Sequence, residues 1–439
     1  MSYSDLTKSV LAAILAPRGL SYKNGKLALD SCHLSKIATQ IGTPSWILSG
    51  DILRLRAQNF CDMIAKASPH AFCHFAVKSL DHLAALKILK DTGIGLDIVS
   101  SGELSRALYI GFDPKKIVFS GVGKTDSELA FALKHHIAQI NVETIGELER
   151  LNKIALSKNC LAPVAIRINP ELGYGGCDKI TTGNKSDKFG IPWTEISRLW
   201  PLISKKMSGI KLQGIAVHGG SQILDENKFR HFYQHIARLI TKWQSEGLKI
   251  ESLDCGGGFG IPYSFQEQEI SLTKLQEIIS ETLVSLNIIL RFEPGRYISG
   301  PSGLLLSRVI EIKKTDSHKF LILDGGMNDL LRPALYNAAH EIIPISYPDG
   351  NTPLESYDIV GPICESSDFF RRNYTMPRLQ CGDIVAILDT GAYGSVMSSS
   401  YNSRPLSPIV LTSEGKWDLI RERQTIEEII STETLPKWL

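Results

Sequence analysis

The chain has 439 residues, 43% of them hydrophobic, and 48 Lys and Arg against 46 Asp and Glu leave a formal charge of +2. A single core stops growing at roughly 250–300 residues, so two domains are expected. The balanced charge, without long runs of one sign, argues against nucleic acid or a membrane surface as the main partner.

No stretch approaches the ~20 consecutive apolar residues of a bilayer span. Met1 to Arg18 lacks the layout of a signal peptide, so a cytoplasmic location is expected. The eight cysteines (Cys32, Cys61, Cys73, Cys160, Cys177, Cys255, Cys364 and Cys381) are scattered, with no Cys-x-x-Cys pair and no histidines at zinc spacing. Most read as reduced, buried small hydrophobes, and no metal site is expected.

In chain order, residues 1–44 hold the turn Lys23-Asn24-Gly25 between β-like pieces and read as the first part of a β domain. Residues 45–302 read as one domain, in which β-like runs alternate with segments of helical period from about Pro69 to Gly295. The predicted strands are Ala71–Lys78, Gly95–Ser100, Lys116–Gly121, Gln139–Glu143, Val164–Asn169, Leu212–His218, Ser252–Gly256 and Ile288–Glu293. Between them lie helix-like stretches such as Asp81–Thr92, Ser101–Ile110, Thr125–His135, Thr144–Leu156, Asn227–Glu246 and Leu272–Leu286. Asp81 and Ser101 read as caps, and Glu103 and Glu147 fall in first turns. Eight such units over roughly 230 residues predict a closed (β/α)8, TIM-like barrel; an open doubly wound sheet is the alternative from pattern alone. Residues 303–439 are β-rich (Leu304–Lys313, Lys319–Asp324, Ser356–Val360, Ile384–Asp389, Ile409–Thr412), which predicts a mainly antiparallel β-sandwich or barrel domain with the barrel inserted into it.

Active sites of such barrels lie at the C-terminal strand ends, and the polar residues there are unusual. They are Lys78; Asp97 and Ser100; Arg167 and Asn169; His218 with Ser221; Gly256-Gly257-Gly258; and Glu293 with Arg296. A strand-end lysine is ordinarily just solvated, but here it keeps informative company. Imine chemistry needs an amine, an anion site for a phosphate and a carboxylate that keeps a pyridine nitrogen protonated. Lys78, the loop Gly256–Gly260 and Glu293 supply the three.

The segments Phe75-Ala76-Val77-Lys78-Ser79, His218-Gly219-Gly220-Ser221-Gln222, Asp254-Cys255-Gly256-Gly257-Gly258-Phe259-Gly260, Glu293-Pro294-Gly295-Arg296, Asn328 to Tyr336, Gly361 to Asp368 and Gly391-Ala392-Tyr393-Gly394 together resemble, in order, the motifs of the diaminopimelate decarboxylases. The resemblance runs from about residue 44 to 405. It implies pyridoxal 5'-phosphate as cofactor, with Lys78 as its covalent anchor, His218 against its ring and Glu293 at the ring nitrogen. Ser221, Gly257, Gly258, Gly295, Arg296 and Tyr393 would lie at the phosphate. Arg296, Arg332, Tyr336, Glu365 and Tyr393 would bind a small amino-acid substrate, and Cys364 would return the proton to carbon. The resemblance also implies a homodimer in which Cys364 and Glu365 enter the partner's site, with no nucleic-acid or membrane partner. Sister enzymes acting on ornithine, arginine, carboxynorspermidine or a siderophore precursor are the nearest alternative, and a non-catalytic vitamin-B6 carrier is a more distant one. The sequence departs from the pattern in the loop around Cys177, at Gly219, and at Leu406 and Ile409.

Overall fold

The computed structural model describes residues 7–172, 188–348 and 352–439; the loop around Cys177 lies outside them. The chain forms two units. One comprises Met1–Arg54, Pro262–Gln268 and Ser299–Leu439, the other Leu55–Ile261 and Glu269–Ile298.

The second unit is a closed barrel of eight parallel strands, and the predicted (β/α)8 fold is observed. Its strands are Ala71–Ala76, Gly95–Ile98, Ile117–Phe119, Gln139–Val142, Ala162–Asn169, Ile210–Ala216, Ser252–Asp254 and Ile289–Phe292. Each pairs with the next, and Leu290 opposite Ala71 closes the ring. Helices cover the outside by burying one apolar stripe. In Glu226–Ser245 the buried positions are Phe229, Phe232, Tyr233, Ile236, Leu239, Ile240 and Trp243, spaced at three and four residues. Two predicted caps are displaced by one residue: Ser100, not Ser101, caps Ser101–Ile110 through the Glu103 N–H, and His82, not Asp81, caps Leu83–Asp91 through the Ala84 N–H.

Alternation along the strands turns a second set of side chains inward, and here that set is polar. Asn141 on the fourth strand donates to Asp254 on the seventh at 2.9 Å. Ser120, just past the third, donates to Glu293, just past the eighth, at 3.2 Å. Neither pair of strands is adjacent in the ring, so both contacts cross the barrel interior.

The first unit is a largely antiparallel sheet whose hub is the 12-residue strand Gly303–Lys314. This strand pairs antiparallel with Ser45–Ser49, Lys319–Leu323 and Ile384–Ile387. Two strand pairs are parallel: Lys319–Leu323 with Leu354–Val360, and Ser45–Ser49 with Ile409–Ser413. Ser45–Ser49 was expected at the start of the barrel, but these distant partners claim both its edges for the β sheet. Asn24-Gly25 forms the two-residue turn of the hairpin Leu20–Lys23/Lys26–Leu29, with φ of 50° and 72°. The unit's apolar core joins Leu27, Ile37 and Ile47 to Leu304, Ile343 and Val410. Beside it the buried Arg18 guanidinium grips Asp389 at 2.8 Å.

The cysteine expectation is only partly met. Of the seven described cysteines, Cys32, Cys73 and Cys255 are buried, Cys61 and Cys160 are half-buried, and Cys364 and Cys381 are exposed.

Candidate active site

Lys78 lies not in the first strand but in a single 3-10 turn, Val77–Ser79, directly after it. Its Nζ donates to Asp97 Oδ2 at 2.8 Å, and the fully buried Asp97 keeps its other oxygen, Oδ1, without a partner among the described residues. Asn141 Nδ2 links Asp254 to Ser120, whose hydroxyl reaches Glu293. Burial, then the charges of Asp254 and Asp97, push Glu293 well above the usual carboxylate range. Burial likewise raises Asp254. Three acids with Lys78 as their near cation make this end of the barrel a place that favours added positive charge.

The glycine loop follows the seventh strand. Gly256 and Gly258 have φ of +69° and +100°, and a Cβ on Gly258 would stand 2.6 Å from the Gly220 carbonyl oxygen. A Cβ on Gly257 would meet the Glu293 carbonyl oxygen at 2.4 Å. Only glycine fits this turn. Among the described residues the N–H groups of Gly257 and Gly258 have no acceptor, so two donors remain for an anion. Ser221 accepts from Arg296 Nη2 at 3.1 Å, and Gly295 precedes the short helix that Arg296 begins. His218 Nδ1 accepts from the Gly220 N–H at 3.2 Å. Burial, followed by the cations Arg167 and Lys78, holds this imidazole well below its ordinary pKa, so it is neutral.

At Gly219, one of the departures from the family pattern, a Cβ would come within 3.2 Å of the Phe232 ring, which would have to give by a few tenths of an ångström. Several participants escaped the sequence reading, namely Ser120, Gln139, Asn141 and the role of Asp254. The alternation Gln139-Ile140-Asn141-Val142-Glu143 was their one visible signal. Glu103, expected as a first-turn residue and found there, is pushed up to about 7 chiefly by burial, and its carboxylate accepts from the Val99 N–H at 2.7 Å.

The remaining predicted residues lie in the β unit. Arg332 is buried at the start of the helix Arg332–Tyr336, its Nη1 2.6 Å from His340 Nε2 and its guanidinium 4.3 Å above the Tyr263 ring. His340 Nδ1 faces the Leu388 carbonyl at 2.8 Å and so carries the ring proton, leaving Nε2 to accept from Arg332. Tyr336, half-buried, ends the same helix. Cys364 and Glu365 are exposed: the thiol donates to Asn402 Oδ1 at 3.3 Å, and Glu365 accepts from the Tyr401 hydroxyl at 2.7 Å. Tyr393 has φ +56°, a conformation that costs a bulky side chain roughly 1–3 kcal/mol and so marks a constrained position. Leu406 is half-buried and Ile409 begins a core strand.

Residues 56–300 match the pyridoxal-binding domain of the pyridoxal-dependent decarboxylases. The chain is 41% identical to a diaminopimelate decarboxylase from Zymomonas mobilis over 421 residues, covering 95% of this chain and 99% of that one. Among solved structures it is similar to the diaminopimelate decarboxylase of M. jannaschii in complex with L-lysine, at 33% identity and a TM-score of 0.90, covering 96% and 98% of the two chains. The Helicobacter pylori enzyme with L-lysine gives 35% identity and a TM-score of 0.85, covering 91% and 99%.

Proposed function

Because the chain belongs to the pyridoxal-dependent decarboxylases and, within them, to the diaminopimelate decarboxylase family, we propose that it converts meso-2,6-diaminopimelate to L-lysine and carbon dioxide, the last step of lysine biosynthesis. One juxtaposition carries the reading. Lys78 and Glu293 follow the first and eighth strands, neighbours in the ring, with the glycine loop after the seventh. Pyridoxal 5'-phosphate fits this end of the barrel: the acids call for a cation such as a protonated ring nitrogen, and the Gly257 and Gly258 N–H groups await an anion.

When bound, the cofactor supplies an electron sink for the pair left by the departing carboxylate. Lys78 would be the residue that holds it covalently, through its amine. Asp97 holds the Lys78 amine in position. Glu293, backed by Asp254, keeps a proton at the ring nitrogen, and neutral His218 covers the ring without adding charge. Gly257, Gly258, Gly295, Ser221, Arg296 and Tyr393 take the phosphate. At the substrate's distal end Arg332, with Arg296 and Tyr336, pairs with the carboxylate and Glu365 with the ammonium, a division that suits an amino acid at both ends. Cys364 delivers the proton to the α-carbon. Its exposure, and that of Glu365, suits a homodimer in which this pair serves the partner's site. The seven described cysteines, all free thiols, suit a reducing cytoplasm.

The test is kcat/KM for meso-diaminopimelate, ornithine and lysine with the purified holoenzyme. Preference for diaminopimelate by orders of magnitude is expected. Equal turnover of ornithine overturns the substrate assignment and leaves a sister decarboxylase.

A further inference from the structure

We propose that the opposite end of the barrel, at the strand N-termini, binds a small organic anion with an apolar body. A cavity of about 450 Å³ opens there beside the starts of the first, second, third and eighth strands, and among its lining residues are Lys115, Lys116 and Arg291 but no carboxylate. The Arg291 guanidinium carries no hydrogen bond or ion pair from the protein among the described residues, and its Nη1 is buried without a partner. Asp254 reaches it only as a charge. A cation so placed is costly until an anion pairs with it.

A second group points the same way. His74 lines the cavity and is 4% exposed. Its Nδ1 faces the Lys116 carbonyl at 3.2 Å and therefore carries the proton. Nε2 is buried without a hydrogen-bond partner and so is an acceptor left unsatisfied beside the cavity. Phe72 and Ile289, both exposed apolar residues on the lining, offer a surface for the ligand's body. Three cations, one acceptor and an apolar wall describe a carboxylate or phosphate monoester of modest size. The site is separate from the one at the other strand ends but shares its strands. His74 lies four residues before Lys78, and Arg291 lies two residues before Glu293, about 7 Å along the strand.

Half-buried Cys61 also lines this cavity and serves as the reporter. The holoenzyme, whose phosphate site is already filled, is treated with iodoacetamide, and alkylation of Cys61 and Cys160 is followed by peptide mass mapping. Phenyl phosphate and phenylacetate should each slow Cys61 saturably, by at least about fivefold, and leave Cys160 unchanged. Effect from one alone assigns the anion to phosphate esters or to carboxylates. Lys115→Glu combined with Lys116→Glu, on two exposed side chains, should abolish the protection while the fold and decarboxylation are retained. Saturation-transfer NMR of phenyl phosphate on wild type and the double variant gives a second readout that does not depend on thiol reactivity. Equal protection by neutral benzyl alcohol, or no binding at 10-millimolar order by either method, overturns the proposal; equal protection by inorganic phosphate overturns its apolar half.

Discussion

Glu293 shows how a single carboxyl ties stability to pH. Its pKa in the folded chain lies well above the ordinary 4.5, so as pH rises the unfolded chain loses this proton first. The folded state then binds more protons than the unfolded one, and stability falls as pH climbs from about 4.5 toward the raised value. In the cofactor-free protein Glu293→Gln should flatten that fall, as seen in urea midpoints across pH 4–8, and in the holoenzyme it should cut kcat on the order of 10²-fold. An unchanged pH profile would remove Glu293 from the account. Arg332 is tested by substrate choice. Arg332→Ala should depress kcat/KM for diaminopimelate by about 2–5 kcal/mol, roughly 30-fold or more, and spare residual ornithine turnover, because ornithine has no distal carboxylate to lose. His340→Ala should reproduce part of that loss, chiefly in KM, since His340 only aims the guanidinium. Equal damage to both substrates would make Arg332 structural. Arg332 was singled out by its motif. His340 was not, because a neutral histidine accepting one hydrogen bond and donating another leaves no mark in local sequence.

At the scale of elements, the eight barrel strands were legible because short β-branched runs alternate with helical periods and glycines close the turns. The ends were less so: Lys78 falls in a turn where a longer strand was expected, and Ser45–Ser49 joined the other sheet. The second outcome depends on partners more than 250 residues away, which no local pattern encodes. The inward polar face was half-visible in Gln139-Ile140-Asn141-Val142-Glu143, but which residue meets which across the barrel follows only from closure. Asp30 illustrates an element joint that sequence does not announce. Its carboxylate accepts from Ser49 at 2.8 Å and Thr412 at 2.7 Å, tying the hairpin end to two strands. Burial, the largest cause, raises its pKa from 3.8 to about 6. The sign again follows from the raised value: the cost of ionisation is absent below about 4, grows between 4 and 6, and is constant above. The Tm difference between Asp30→Asn and wild type should change across that window and be flat on either side. A difference that keeps changing above pH 7 would assign the slope to another group.

For the whole molecule, the homodimer proposal predicts complementation. Lys78→Ala and Cys364→Ala chains, each nearly inactive alone, should recover about a quarter of wild-type activity after subunit exchange, because roughly half the dimers are mixed and each of those holds one intact site. No recovery after exchange verified by mass would place Lys78 and Cys364 of one chain in the same site. The pairing of Ser45–Ser49 carries a further consequence, for the order of events on the ribosome. One edge of this strand waits for Gly303–Leu306 and the other for Ile409–Thr412. At 5–20 residues per second the second partner emerges roughly 20–70 s after the strand itself. Until Gly303–Leu306 emerges the nascent chain carries an apolar β segment, Trp46-Ile47-Leu48, with neither edge covered, and one edge stays open until Ile409–Thr412 follows, while the barrel between has all eight of its own strands soon after Phe292. The barrel can therefore close first, and the early segment is the part of the newborn chain that a chaperone has most reason to shield.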